Sequence, residues 1–124
     1  MDANAMMSLK IKTTFVLALA TFSPYFTYAG ELYCNGKVEN VYVEPNGNVI
    51  IKGAWRDHWT RICNTKEDDT VTCSLWASYA ATAVKDNLDV TVRYMVNDGS
   101  TCTTLPTYSD SPKPSYFMLY NPTL

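Results

Sequence analysis

Four cysteines in a small chain constrain its fold more than any other feature of the sequence. Cys34, Cys63, Cys73 and Cys102 form an even set in a chain of 124 residues. Their spacings are long, no Cys-x-x-Cys pair occurs and His58 is the one histidine, so no zinc site is expected. An even number of cysteines in a small chain that enters an oxidising compartment is typical of disulfide pairs. The sequence therefore predicts two disulfides, for which four cysteines allow three connectivities.

The N-terminal segment has the features of a secretory signal peptide. Two lysines give a positive charge before the apolar run of residues 13–22, which is too short to span a membrane. The small residue Ala29 then precedes Gly30, which suits cleavage between them. We therefore expect residues 1–29 to be removed and the protein to be secreted or periplasmic. The alternative is that the apolar run stays in place as a membrane anchor.

The remaining segment, residues 30–124, is long enough for one domain with a modest core. It carries 8 Lys and Arg against 11 Asp and Glu, a net charge of −3, so it has no basic surface suited to nucleic acid. No phosphate-binding loop, Gly-x-Ser-x-Gly or His-Glu-x-x-His motif occurs. Asp57 and His58 would point to opposite faces of a strand, and paired cysteines are not nucleophiles. We therefore expect no catalysis, no cofactor, no metal and no nucleic-acid partner.

Local patterns predict five short strands and one helix. Residues of strand type flank a Pro45-Asn46-Gly47-Asn48 turn, which predicts a β-hairpin. Helical spacing is seen at Trp76, Tyr79, Ala80, Ala83, Val84 and Leu88. Thr72 or Ser74 is the expected N-cap of that helix. The predicted strands are residues 36–44, 49–52, 55–63, 89–96 and 115–120, and the predicted helix is residues 70–87.

The order β-β-β-α-β-β is typical of the OB-fold, a five-stranded barrel that binds oligosaccharides or oligonucleotides. We therefore expect a mainly β, OB-like barrel with one packing helix. In that barrel the first strand pairs with the fourth, which brings Cys34 near Cys102. Cys63 and Cys73 would then join the end of the third strand to the start of the helix. Of the three connectivities, we favour 34–102 with 63–73.

A tryptophan-rich stretch in the third predicted strand is the candidate binding site. Strand alternation places Trp55, Asp57, Trp59 and Arg61 on one face, where rings can stack on sugars and polar groups can bond hydroxyls. Tyr108, in the proline-held loop before the last strand, is a further candidate contact. The alternative is that Trp55 and Trp59 fill the barrel, with Asp57 and Arg61 paired at its rim.

The segment VTCSLWASYAATAVKDNLDVTVRYMVNDGSTC, Val71 to Cys102, resembles the helix-and-strand core of the B subunits of AB5 bacterial toxins, especially the subtilase-cytotoxin and pertussis-like group. The shared features are a cysteine leading into a helix with Trp, Tyr and Ala on its buried face, then a strand of alternating Val and Tyr and a later cysteine. The chain also resembles short secreted proteins of Gram-negative bacteria that run from a Gly-x-Val hairpin to a terminal Pro-x-Tyr strand. The first resemblance implies a glycan-binding subunit of a pentameric ring, although no glycan-contact motif of that group lies in this sequence.

Together these observations predict an exported, non-catalytic binding module for a glycan or a protein partner. Pairing of edge strands between copies would make it a homo-oligomer. After removal of the signal peptide no membrane association is expected. The alternatives are a periplasmic structural or inhibitor-like protein without a small ligand, and a small hydrolase.

Overall fold

A computed structural model describes residues 30 to 121, and within that range the chain forms five strands and one helix. The strands are β1 (Gly30–Val43), β2 (Asn48–Gly53), β3 (Trp59–Asn64), β4 (Asp89–Val96) and β5 (Tyr116–Tyr120), and the helix is α1 (Thr70–Asp86). The predicted order β-β-β-α-β-β is confirmed. The predicted signal peptide, residues 1–29, lies outside the described residues. Among residues 30–121, no helix has both the length and the apolar character needed to cross a membrane.

The five strands of the described range form one antiparallel sheet in the order β3-β2-β1-β4-β5. The central strand β1 is 14 residues long and has two partners. Its first part pairs with β4 from Gly30 to Lys37, and its second part pairs with β2 from Val38 to Val43. The register of the β1–β2 ladder shifts between Val38 and Asn40. The sheet therefore has a β1-β2-β3 half and a β1-β4-β5 half.

Closure of this sheet into a barrel would need β3 to pair with β5, and no such ladder forms within residues 30–121. The mainly β architecture with one helix is confirmed. The predicted barrel is not confirmed, because the two edge strands stay apart in the sheet order.

The third strand begins later than the sequence pattern predicted. Residues 54–58 form a turn, in which the Arg56 amide donates to the Gly53 carbonyl at 3.3 Å. Gly53 has no side chain, and the indole ring of Trp55 lies so close that a Cβ at Gly53 would be 2.3 Å from it. The predicted alternation of Trp55 and Asp57 with Trp59 along one strand face is therefore wrong, because the chain turns back before β3 starts.

Apolar side chains from both halves of the sheet pack against α1 and form the core. The core includes Cys34, Val38, Val49, Ile51, Ile62, Cys63, Cys73, Ala80, Ala83, Val90, Val92, Tyr94, Leu105 and Phe117. Ala80 and Ala83 are the small, fully buried side chains through which α1 packs against this core. Tyr79 and Val84 were predicted on the buried face of the helix but are exposed, because the buried stripe runs through Cys73, Ala80 and Ala83.

The start of α1 is fixed by Asp69, not by the predicted Thr72 or Ser74. The Asp69 side chain accepts a hydrogen bond from the Thr72 amide at 2.8 Å, which satisfies a free donor of the first turn. These contacts lower the pKa of Asp69. The N-cap therefore lies one residue before the helix, at the end of an acidic run that also suits the helix dipole.

Both predicted disulfides are confirmed. Cys34 is bonded to Cys102 and Cys63 to Cys73, each with a Cα–Cα distance of 5.6 Å. The first ties β1 to the segment after β4, and the second ties β3 to α1. All four cysteines of the sequence are paired, which favours an oxidising extracellular or periplasmic environment.

Tyr94 of β4 makes the stability of the core sensitive to alkaline pH. It is 1% exposed, and burial raises the pKa of its phenol from 10.0 to about 12, with the Arg56 charge acting in the opposite direction. Because the pKa of Tyr94 is higher in the folded than in the unfolded protein, its neutral phenol contributes fully to the free energy of unfolding below the unfolded pKa. This contribution is lost as the pH rises through the folded value.

We expect the urea midpoint of the wild-type protein to fall from about pH 10 upward. Tyr94→Phe should keep more of its stability over the same range, because its ring cannot ionise. Circular dichroism during urea titration at stepped pH values measures both midpoints. Equal losses in the two proteins would show that Tyr94 is not responsible.

Candidate functional site

The candidate site lies on the face of the β1-β2-β3 half-sheet that points away from α1. In the register of this half-sheet Tyr42 lies opposite Ile50, Ile50 lies opposite Arg61, and Lys52 lies opposite Trp59. Alternation along the strands places these five side chains on one face. Ile50 is only 1% exposed although it lies outside the main core cluster. The side chains around Ile50 on this outer face therefore shield it from water.

Two aromatic rings contact one another on this face. Tyr42 and Trp59 have ring centroids 5.2 Å apart at an interplanar angle of 73°, an edge-to-face arrangement that aromatic pairs favour. Tyr42 is exposed and Trp59 is half-buried. Partial burial raises the pKa of the Tyr42 phenol, and the charges of Glu44 and Tyr108 add to this effect.

Tyr108, in the long connection between β4 and β5, lies with its main chain along the free edge of β3 and is exposed. Its amide donates to the Trp59 carbonyl at 3.0 Å, and it forms a parallel bridge with Thr60. Its φ of 51° is in the left-handed region, which is uncommon for a bulky residue and is held here by these contacts. We call Tyr42, Trp59 and Tyr108 the aromatic face.

Arg56 holds the loop that carries Tyr108 against β3. Its guanidinium donates to the Thr60 hydroxyl and to the Leu105 and Pro106 carbonyls. The side chain is 7% exposed, and within residues 30–121 it has no carboxylate partner. Burial lowers the pKa of this guanidinium. Arg56 is therefore a buried cation bound to neutral oxygens, which joins the strand that carries Trp59 to the loop that carries Tyr108.

The polar residues predicted for the site have different partners from those expected. Asp57 is exposed in the turn and forms an ion pair with Lys52 at 2.9 Å, which lowers the pKa of its carboxyl group. The alternative in which Asp57 pairs with Arg61 at the rim of the barrel is therefore wrong. Arg61 is half-buried, and its guanidinium has no ion pair or hydrogen bond with any residue in the described range, although its charge helps to lower the pKa of Asp68. Arg61 therefore offers free donors beside Trp59.

Trp55 lies apart from the aromatic face. Its half-buried ring packs against the core cluster, over Gly53 and near Gly36, where an added Cβ would lie 3.6 Å from the ring. Of the five candidate residues, Trp59, Arg61 and Tyr108 thus lie along β3. Asp57 lies in the turn before β3, and Trp55 packs against the core.

Sequence reasoning missed Tyr42 and Arg56. Tyr42 is a common strand residue next to the predicted hairpin, and its contact with Trp59 follows from the order in which β1, β2 and β3 pair. Arg56 was assigned to a strand, and nothing in the local pattern indicates that its side chain is buried. The available signal was Gly53, which permits a turn that ends one strand before the next begins.

The chain matches no known protein-family model, no curated protein and no solved structure. The resemblance to B subunits of AB5 toxins therefore stays a prediction, neither supported nor contradicted.

Concave regions of the described residues also lie outside the aromatic face. A cavity of about 150 Å³ beside the Cys63–Cys73 disulfide is lined by Ile62, Trp76 and Pro114, with a Lys113–Asp68 ion pair of 2.6 Å at its rim. An open groove of about 530 Å³ follows β5. Over residues 30–121, no group of three His, Cys, Asp or Glu side chains is placed to hold a metal ion.

Proposed function

We propose that this protein is a non-catalytic binding module that recognises a glycan through its aromatic face. The observation that carries the proposal is the Tyr42–Trp59 ring pair on one face of the sheet. The exposed Tyr108 is held next to Trp59 by its main chain, and the unpaired Arg61 follows Trp59 in β3. Aromatic rings stack on the apolar faces of sugar rings, and nearby polar groups can bond the hydroxyls. A surface of this kind can bind without any reacting group.

We also propose that the sheet is an OB-like barrel that is open between β3 and β5. Two observations support this reading. The sheet order has β3 and β5 as its ends, so one more ladder between them would complete a five-stranded cylinder. The Tyr108 loop lies along the free side of β3, where it forms the parallel bridge at Thr60.

The position of the aromatic face agrees with the way OB-folds bind oligosaccharides. In that fold, ligands dock on strands 2 and 3 and on the loops that follow the first and fourth strands. Trp59 and Arg61 belong to β3, Tyr42 lies at the end of β1 beside the first loop, and Tyr108 belongs to the β4–β5 connection. The two disulfides support a site of action outside the reducing cytoplasm, in line with the predicted signal peptide.

We expect Trp59→Ala and Tyr108→Ala each to weaken glycan binding roughly fivefold or more, because a ring that stacks on a nucleobase contributes about 1–3 kcal/mol and stacking on a sugar ring is taken to be similar. Binding is measured by screening an array of glycans and then titrating the hits by calorimetry, which does not depend on the tryptophan that Trp59→Ala removes. The matched control is Tyr33→Ala. Tyr33 is 46% exposed and Tyr108 is 47% exposed, but Tyr33 lies on the β1-β4 ladder, away from the aromatic face.

Tyr33→Ala should bind as the wild type does, and circular dichroism should show all variants to be folded. A protein that binds no glycan on the array, or one that loses equal affinity in Tyr33→Ala, would refute the proposal.

A further inference from the structure

The outer side of β5 is an unprotected sheet edge. β5 ends the sheet order, and within residues 30–121 no strand pairs with its outer side. Natural proteins usually protect such edges with charges, prolines or bulges. The five residues Tyr116–Tyr120, YFMLY, contain no charge and no proline, and they pair with β4 without a register shift. The backbone of β5 is therefore ready to accept a further strand.

The opposite edge of the sheet, β3, is covered by a loop of the same chain. On the free side of β3, the Tyr108 amide donates to the Trp59 carbonyl at 3.0 Å, and the Arg61 amide donates to the Ser111 hydroxyl at 3.1 Å. The chain's own loop thus occupies the groups that a strand from another molecule would need. Head-to-tail assembly of copies, with β5 of one added to β3 of the next, is obstructed.

The surroundings of the β5 edge are apolar. The groove along β5 is lined by Tyr79 of α1 and by Tyr116, Phe117, Met118 and Leu119 of the strand itself. Tyr79, Tyr116 and Met118 are all exposed. A strand that pairs with this edge must therefore have apolar, uncharged side chains where it contacts β5. The sequence of β5 itself meets this requirement.

We infer that β5 pairs antiparallel with β5 of a second copy, about a two-fold axis at Met118. This pairing places Tyr116 opposite the second copy's Tyr120, and Phe117 opposite its Leu119, so every contact at the strand joins apolar residues. The interface is isologous, the commonest type in homo-oligomers. It joins two five-stranded sheets into one continuous sheet.

The charged side chains next to β5 are already paired within one copy. On β4, Arg93 lies beside Tyr116 and forms an ion pair with Glu31. Asp89 lies beside Tyr120 and forms an ion pair with Lys37 at 2.7 Å. These two charges therefore do not oppose the approach of a second copy's β5. The aromatic face lies on the other half of the sheet, so this dimer does not depend on the proposed glycan site.

Sedimentation equilibrium over a concentration series tests the dimer. We expect a monomer–dimer equilibrium whose dissociation constant rises at least tenfold in Met118→Lys, because two lysines would face one another across the axis. The matched control is Met95→Lys. Met95 is 50% exposed and Met118 is 44% exposed, but Met95 lies on β4 opposite Glu31 of β1, beyond the residues of β4 that pair with β5. Met95→Lys should dimerise as the wild type does.

Met118→Cys gives an independent test of the register. All four native cysteines are in disulfides, so the new thiol has no other free partner. Residues directly opposite in an antiparallel pair have Cα atoms about 4.5–5.5 Å apart, within the range that a disulfide spans. Oxidation should give a cross-linked dimer from Met118→Cys and none from Met95→Cys. A protein that is monomeric at all concentrations, a larger ring, a dimer unaffected by Met118→Lys, or cross-linking of both cysteine variants would overturn the inference.

Discussion

Removal of the Cys34–Cys102 disulfide is expected to destabilise the domain by about 4 kcal/mol, against about 3 kcal/mol for the Cys63–Cys73 disulfide. The difference follows from the loops that the bonds close, since the sequence separations are 68 and 10 residues. A longer loop restricts the unfolded chain more, and its loss restores more conformational entropy to that state. The free energy of unfolding of a small domain is about 5–15 kcal/mol, so either loss is a large fraction of the total.

The double variants Cys34→Ala/Cys102→Ala and Cys63→Ala/Cys73→Ala test this prediction. Urea unfolding followed by circular dichroism gives the free energy of unfolding of each. Each variant loses both cysteines of one disulfide, so neither variant carries an unpaired thiol that could exchange. A larger loss from the short-loop variant than from the long-loop variant would contradict the loop-length argument.

Arg56→Ala is expected to cost about 3 kcal/mol of stability, because buried oxygens would be left without donors. The oxygens concerned are the Thr60 hydroxyl and the Leu105 and Pro106 carbonyls, which all accept from the Arg56 guanidinium. Arg56→Lys should recover only part of this loss, since an ammonium group cannot reproduce the planar fork of donors. Urea unfolding measures the changes.

Arg61→Ala is the matched control for Arg56→Ala. Arg61 is half-buried in β3, five residues after Arg56, and its guanidinium makes no hydrogen bond or ion pair with the residues the structure describes. We therefore expect a loss below about 1 kcal/mol. Arg56→Ala should also weaken glycan binding, because the loop that carries Tyr108 loses its anchor on β3. A stability loss in Arg56→Ala no larger than that in Arg61→Ala would refute the structural role of Arg56.

Sequence reasoning succeeded where a local signal determines the structure. Asn46-Gly47 specifies the β1–β2 turn, and the alternation of residues 89–96 matches β4 along its whole length. The disulfide pairs followed from these elements, because antiparallel pairing of the first and fourth strands brings Cys34 toward Cys102. Each of these predictions depends on residues that are close in sequence or on one rule of strand pairing.

The parts that failed depend on tertiary contacts. β1 begins at Gly30, six residues before the predicted start, because residues 30–37 gain strand structure by pairing with β4. Residues 54–58 look like strand in isolation, but the ring of Trp55 packs over Gly53 and turns the chain. The grouping of Tyr42 with Trp59 and Tyr108 needs three segments to meet, and no periodicity within one segment carries that information.

The length of β1 has a consequence for the time course of folding. Its second half can pair with β2 as soon as the hairpin has been made, but its first half must wait for β4, about 60 residues later in the chain. During synthesis the leading end of the domain therefore remains without its neighbour until the helix and the following strand have emerged. Closing so long a loop carries an entropic cost before any contact offsets it, which makes this step a natural candidate for the rate-limiting event.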